Sequence, residues 1–460
     1  MSAAERARAG ASDLAAAAAT RVPLGRLLAY SAIELPIGGV LNMVALYLGF
    51  LYTERGVSFG AVAAILTAAR LLDVAIDPAV GLLSDRTRNR IGRRKTWVIA
   101  GAPIFLLAAW RLFVPPAQVD AFYFAAWLAP FWLGFSMINI PYYAWGAELS
   151  ADYHERTRIT TARTMLGALG SIAAIAVPVA IWRVSGTAGQ PEPPYIAATV
   201  VGYSLWLLPA FVALAALRVP DSGGGGTSLP LLRGLSVMRR NGPFLRLLGA
   251  FTIVGLGPVL QGAMFPYFMQ NVVRESRQDL LLLYYPTLFA GIAFWGALAR
   301  RLEKHVAWMC GMAVMVVATS FYMLIGEGDI AGMAAILVLS GIGSGAFTAL
   351  PSSMKADVID LDALESGEDR AGLFFAAWSL ALKFVAAVGQ GLAFATLALI
   401  GFQRGGENGP DEILGLRLFY SAGPMLLYLA GLLLVRSYPI TAARHAVLRT
   451  QLGAKRSAIS

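Results

Sequence analysis

Hydrophobic residues form long runs along this chain, and short polar connections separate the runs. Runs of about 20 apolar residues recur, which is the length a helix needs to cross ~30 Å of hydrocarbon. The pattern therefore predicts an all-α membrane protein. We predict twelve transmembrane helices, over residues 26–52, 58–83, 97–114, 120–147, 161–184, 195–217, 246–272, 280–299, 306–326, 330–354, 371–401 and 412–436.

The composition agrees with this pattern and narrows the class of protein. The 460 residues are 57% hydrophobic and 14% charged, which is too apolar for a soluble protein of this length. The net charge of +10 lies in short connections, so we expect a lipid bilayer and no nucleic acid as partner. With one cysteine and three scattered histidines, the chain offers little for a disulfide, a metal cluster or an enzyme active site.

A polar, glycine-rich stretch divides the chain into two halves. We predict a tail at 1–25, a six-helix half at 26–217, a linker at 218–245, a second six-helix half at 246–436 and a tail at 437–460. About 28 of the Lys and Arg residues fall in the tails and the even-numbered connections, against about seven in the odd-numbered ones. We therefore expect both termini and the linker to be cytoplasmic, in a multi-pass protein of the plasma membrane (the inner membrane of a bacterium).

The two halves repeat one another weakly. Gly81–Arg86 follows the second helix as Gly296–Arg301 follows the eighth, and Glu148 and Asp357 each open an acidic connection. Two six-helix halves related by an axis along the membrane normal are typical of the major facilitator fold, whose substrate site lies between the halves.

Ionisable residues inside the predicted helices are the candidates for function. Arg70, Asp73 and Asp77 share one face of the second helix. Two carboxylates one turn apart repel each other unless a cation or proton is shared, which favours a reversible cation site. The alternative is a structural Arg70–Asp73 ion pair.

Lys383, deep in the eleventh helix, needs a carboxylate partner. We expect it to compete with the cation for Asp73 and Asp77, which would be metal ligands only if Na⁺ is the coupling ion. A lysine lining an aqueous cavity is the alternative.

Polar and aromatic side chains inside other helices suit a hydroxylated ligand, because rings pack on sugar faces and amides orient hydroxyl groups. Glu34 either binds substrate hydroxyls or satisfies backbone freed by Pro36. For the other candidates, ordinary packing is the alternative; they are Asn139, Tyr142, Tyr143, Gln261 and Trp378.

Two connections are candidate cytoplasmic gates. The basic loop Arg86–Lys95 includes Arg93 and Arg94, and such loops set the orientation in the membrane and contact phospholipid headgroups. Asp85 could in addition pair with the arginines of this loop and hold the two halves together. The acidic connection that starts at Asp357 is the second candidate gate element.

These residues together resemble the glycoside–pentoside–hexuronide:cation symporters, the melibiose-permease branch of the major facilitator superfamily. The resemblance spans nearly the whole chain. It is carried by the second-helix motif Arg70-x-x-Asp73-x-x-x-Asp77-Pro78, the loop Gly81–Trp97, Asn139-Ile-Pro141, Arg156-x-Arg158 with Arg163, Ala356-Asp357, Lys383, and Gly415-Leu-Arg417 with Pro424.

The resemblance implies roles for particular residues. In the family, the two acids of the second helix form the cation site and the lysine of the eleventh helix interacts with them. The positions of Glu34, Asn139 and Arg163 are those of substrate contacts.

Two departures from the family pattern change what is expected. The sugar-transporting prototype has an acid where this chain has Asn139, which leaves the sugar open. Sodium-using members carry an amide just before the second acid, where this chain has Ile76. Fewer oxygen ligands favour H⁺ over Na⁺. Animal lysophospholipid symporters share the acids and the lysine, so the resemblance does not fix the solute.

We therefore predict a monomeric secondary symporter, without cofactor, that imports a sugar, glycoside or related small organic solute together with a cation. A symporter of lysolipids or other amphiphiles is the first alternative. A membrane sensor or scaffold with a transporter-like fold is the second.

Overall fold

The computed structural model describes residues 22–87, 91–149, 153–185, 193–216, 241–275, 277–366, 371–403 and 408–441. Within them the chain is helical, as predicted. The helices are α1 Leu24–Glu54, α2 Phe59–Arg86, α3 Arg93–Phe113, α4 Ala121–Glu148, α5 Tyr153–Ser185, α6 Pro193–Ala216, α7 Gly242–Val273, α8 Leu281–Leu298, α9 Lys304–Leu324, α10 Ile330–Ser366, α11 Ala371–Leu399 and α12 Pro410–Val435.

Eleven of the described helices are long and apolar enough to cross a membrane. The described part of α6 contains a shorter apolar segment, Thr199–Val212, so the sixth crossing remains a prediction. Local sequence explains where some helices begin. At the start of α2 the Ser58 hydroxyl accepts a hydrogen bond from the Ala61 N–H (3.3 Å), and at α4 the Asp120 carboxylate accepts one from Tyr123 (2.7 Å).

Small residues let the helices approach closely within each half. A Cβ atom placed on Gly345 of α10 would collide with the backbone of Gly291 on α8. A Cβ on Gly170 of α5 would collide in the same way with the Leu35 carbonyl of α1. Backbones in contact are a normal solution for membrane helices, because packing rather than the hydrophobic effect drives their association.

The two halves pack against each other at one end of the bundle. Tyr267 of α7 lies at the centre of this contact. Its ring meets Phe50 and Phe59 of the first half at centroid distances of 5.3 and 5.6 Å. It also meets Phe394 and Phe402 of the second half at 6.2 and 5.9 Å. We call this the far end; the basic end is the one that carries the α2–α3 and α10–α11 connections.

Hydrogen bonds reinforce the contact between the halves. The side-chain amide of Gln390 on α11 donates to the Ala45 carbonyl on α1 (3.3 Å), inside a π-helical turn at Val44–Leu48. The Asn42 amide of α1 donates to the Tyr285 hydroxyl of α8 (3.2 Å). A π turn displaces carbonyls from the regular i→i−4 hydrogen bonds of a helix. The Ala45 carbonyl is therefore able to accept a hydrogen bond from the second half.

The basic end contains a core that belongs to one half. The hydrophobic cluster around Phe251, Trp308 and Trp378 draws all its described members from the second half. The contacts between the halves given above lie at the far end, and the ion pair of Lys383 with Asp73 lies midway along the helices. The structure is thus closed at the far end.

The close α8–α10 contact generates a stability prediction. We expect Gly345→Ala to lower the free energy of unfolding by about 1–3 kcal/mol, because the new methyl group forces two backbones apart. Gly296→Ala, on α8 with open space around its Cβ position, is the matched control and should leave the melting temperature unchanged or slightly raised. Thermal unfolding of the purified variants is the measurement. Equal melting temperatures for the two variants would contradict the packing described here.

Candidate functional site

The two carboxylates of α2 point at a lysine of the other half. Asp73 is 1% exposed, and Asp77 follows one turn later, next to Pro78. The Lys383 ammonium of α11 lies 3.0 Å from Asp73 Oδ2 and forms a closer ion pair with Asp77 Oδ2. The structure therefore brings Lys383 to two carboxylates that lie about 300 positions earlier in the chain.

A serine of α4 completes this group. The Ser136 hydroxyl lies 2.8 Å from Asp73 Oδ1 and 2.7 Å from Asp77 Oδ1, and its side chain is buried. A hydroxyl carries one proton, so it donates fully to one carboxylate at a time. A proton on one carboxyl group would satisfy both contacts at once, since that group could donate to the Ser136 oxygen.

The oxygens that could hold Na⁺ are those of Asp73, Asp77 and Ser136. Ile76 precedes Asp77 in α2 and offers no ligand. The sequence analysis missed Ser136. The available signal was its spacing, three residues before Asn139 on the predicted fourth helix, which places both on one helix face.

Arg70 lies one turn before Asp73, and its guanidinium stacks on a tryptophan. The guanidinium carbon is 3.4 Å from the ring centroid of Trp132 on α4, and Trp132 is 2% exposed. This cation–π contact partly replaces the water that the charge has lost. With Lys383, Arg70 balances the charge of the two carboxylates.

A second cluster joins α1, α4 and α5. Arg163 Nε lies 3.3 Å from Glu34 Oε1, and the Arg163 guanidinium is 3.8 Å from the ring centroid of Tyr143. Glu34 is 8% exposed, whereas Tyr143 is 42% exposed. The cluster therefore offers a charged pair and an accessible ring face in one place.

Tyr142 lies on the buried side of this cluster, unlike Tyr143. Its ring stacks on Tyr30 at a centroid distance of 4.5 Å, and each hydroxyl donates to the other residue's carbonyl, at 2.9 and 3.1 Å. Tyr142 is fully buried. It therefore supports the cluster from behind, while Tyr143 lines its accessible side.

The remaining substrate candidates are held elsewhere. Asn139 of α4 is half-buried. The Gln261 amide of α7 donates to the Tyr420 carbonyl (3.2 Å), and Trp378 of α11 stacks on Phe251 (4.1 Å). Gln261 and Trp378 thus contact residues of the second half, and the structure does not bring them to Glu34.

The candidate gate residues make local contacts at the basic end. Lys304 Nζ donates to both Asp357 oxygens, at 2.7 and 2.8 Å. The Arg94 guanidinium donates to Ser84 (3.3 Å). Arg86 is exposed at the end of α2 and Arg93 is partly buried at the start of α3, while the side chain of Asp85 lies outside the described part of the structure. A latch between the halves stays a prediction.

Comparison with known proteins gives a consistent family match. A family model described as MFS/sugar transport protein matches residues 29–442. The chain is 27% identical to an uncharacterized symporter of Synechocystis, over 93% of this chain and 96% of that protein. It is 25% identical to the putative glycoside/cation symporter YagG of Escherichia coli, over 95% and 97% of the two chains.

A further relative has a different kind of name. The sodium-dependent lysophosphatidylcholine symporter 1 of mouse is 25% identical over 82% of this chain and 78% of that protein. Among solved structures, a bacterial homologue of the human lysosomal transporter Spinster, in an inward-facing and unoccupied conformation, superposes with a TM-score of 0.60 at 15% identity. The superposition covers 93% of this chain and 96% of that one. That likeness concerns the fold alone.

The buried ion pairs generate a testable prediction. We expect Lys383→Met to destabilise the protein by about 3–5 kcal/mol, because it leaves two carboxylates without their cation. The double variant Asp77→Asn/Lys383→Met should regain most of this loss, because a single buried carboxylate remains, still bound by Ser136. Melting temperatures of both variants and of Asp77→Asn alone complete the double-mutant cycle. Additive effects of the two substitutions would mean that the residues do not interact.

Proposed function

The chain belongs to the MFS/sugar transport protein family, and on that basis we propose that it is a cation-coupled symporter of a small organic solute. Its relatives named above are symporters. The apolar helices, and an E. coli relative that is named an inner membrane symporter, confirm the predicted multi-pass inner-membrane protein with a major facilitator fold.

The observation that carries the proposal is the position of Lys383 between Asp73 and Asp77. The lysine belongs to the second half and the carboxylates to the first, so this contact ties the halves together midway along the helices. A cation that binds the carboxylates competes with Lys383 and loosens the tie. If the solute favours the same loosened state, cation and solute raise each other's affinity by the same factor.

We propose H⁺ as the coupling ion. The Ser136 hydroxyl lies between both carboxylates, and one added proton would allow a hydrogen bond to each of them. Ile76 offers no oxygen ligand for Na⁺. The alternative is Na⁺, and it draws support from the name of the mouse relative, which is called sodium-dependent.

For the solute we propose a sugar, a glycoside or a related hydroxylated molecule bound at the second cluster. Glu34 and Arg163 offer hydrogen bonds to hydroxyl groups, and the exposed ring of Tyr143 offers a face for an apolar sugar surface. The glycoside/cation symporter relative fits this choice. The alternative is a lysolipid or other amphiphile, which the lysophosphatidylcholine symporter relative favours.

The proposed cycle follows from the contact between the halves at the far end. We assign the basic end to the cytoplasm and propose that this state, with its far end closed, releases its ligands inward. Separation of the contacts around Tyr267 and closure of the basic end would then expose both clusters to the outside. Import by such rocking is alternating access.

The test of this proposal is Asp77→Asn in proteoliposomes, with solutes first selected by thermal-shift screening with and without Na⁺. We expect this variant to exchange labelled solute across the membrane but to lose accumulation against a gradient, because the coupling carboxylate is gone. Asp411→Asn, an exposed acid at the start of α12, is the matched control and should accumulate solute like the wild type. Undiminished accumulation by Asp77→Asn would refute the site assignment.

The ion can be tested separately. We expect the wild-type melting temperature to be the same in NaCl and in choline chloride, because Ile76 supplies no further oxygen ligand for Na⁺ beside Asp73, Asp77 and Ser136. Ile76→Asn should gain stabilisation in NaCl, about 1.4 kcal/mol at ten times the dissociation constant, while Ile76→Leu should not. A Na⁺-specific stabilisation of the wild type would contradict H⁺ coupling.

A further inference from the structure

We infer that Lys355 binds an acid group, a carboxylate or a phosphate, on the transported solute. Lys355 lies on α10, four residues after Pro351, and is 8% exposed. The inference rests on the proposed transport function, because it assigns a second anchor for the same solute in the second half. It requires the solute to carry a negative charge, whereas the cluster around Glu34 does not specify the charge of the solute.

The surroundings of Lys355 are aromatic. Its ammonium lies 4.1 Å from the ring centroid of Phe375 and 4.9 Å from that of Trp378, both on α11. Trp378 stacks on Phe251 at 4.1 Å, and Phe251 stacks on Phe347 at 4.9 Å. Trp378 is therefore held in a stack of three rings, one each from α11, α7 and α10.

Lys355 differs from Lys304 and Lys383 in what it contacts. Lys304 is 2.7 Å from a carboxylate oxygen of Asp357, and Lys383 is 3.0 Å from one of Asp73. Within the described part of the chain, the contacts of the Lys355 ammonium are ring faces. A ring attracts an ammonium but carries no net negative charge. A carboxylate or phosphate would supply the charge and the hydrogen-bond acceptors that the rings lack.

The position of Lys355 gives a solute access to it. Phe375 is 55% exposed, and the hydrophobic cluster that contains Trp378 has no described member from the first half. A charged side chain is costly against lipid tails and normally faces protein or a water-filled cavity. We therefore place the exposed edge of this site toward the interface between the halves at the basic end.

Two other cations inside the bundle already have carboxylate partners. Arg163 pairs with Glu34 at 3.3 Å, and Lys383 pairs with both aspartates of α2. An acid group that enters between the halves from the basic end meets in Lys355 a charge that no described carboxylate offsets. The rings of Phe375 and Trp378 would then pack against the apolar part of the same solute.

The experiment uses the purified full-length chain and two pairs of probes that differ by an acid group. Galacturonate is paired with galactose, and lysophosphatidic acid with monoacylglycerol. We expect the wild type to bind the acid member of one pair about tenfold to a hundredfold more tightly, as one charge-assisted contact allows. Lys355→Met, of similar length without charge, should lose this preference, and Lys355→Arg should keep it. Affinities come from thermal shifts over a range of probe concentrations.

The outcomes separate this inference from the proposed function. Equal affinities within both pairs for the wild type, or an unchanged acid preference in Lys355→Met, would overturn the inference. The pair that shows the preference tells whether the acid belongs to a sugar or a lipid. Lys355→Gln repeats the test if Lys355→Met fails to elute as a single species in gel filtration. Coupling is judged independently by Asp77→Asn, so transport can hold while the Lys355 site fails.

Discussion

The ion pairs of Lys383 with Asp73 and Asp77 are the constraint on which the rest of this structure depends. Two carboxylates in an apolar bundle repel each other and must be neutralised. The chain neutralises them with a lysine from the other half, so a local electrostatic need becomes a contact between the two halves. Any cation that takes over this task releases the lysine. The same contact therefore neutralises the carboxylates of α2 and holds the two halves in their relative position.

Helix α4 connects this site to the second cluster. Ser136 binds the carboxylates, and Tyr143, seven residues later, lies under the Arg163 guanidinium. Seven residues make about two turns, or roughly 10 Å along the helix, and bring the side chains back to nearly the same face. A rigid helix that carries a residue of each site gives a direct physical route for coupling. Asn139 lies between them on that helix.

Much of this arrangement could be predicted from the sequence, and the rest needed the folded chain. Runs of apolar residues locate helices, and charged residues within them stand out because burying charge is costly. Ser136 carries no such signal, since a lone serine in an apolar run is ordinary. The sequence offers Tyr142 and Tyr143 side by side as candidates, yet successive residues on a helix point about 100° apart, and the accessible ring is that of Tyr143. The sequence also could not show that Gln261 and Trp378 contact residues of their own half, away from Glu34.

The central claim is that a proton moves with the solute through the site between α2 and α11. The most direct measurement is internal pH in proteoliposomes loaded with a pH-sensitive dye, in Na⁺-free buffer, after addition of a transported solute. Our account predicts acidification of the lumen in step with solute uptake, and none after Asp77→Asn. Solute uptake without any change of internal pH would contradict it.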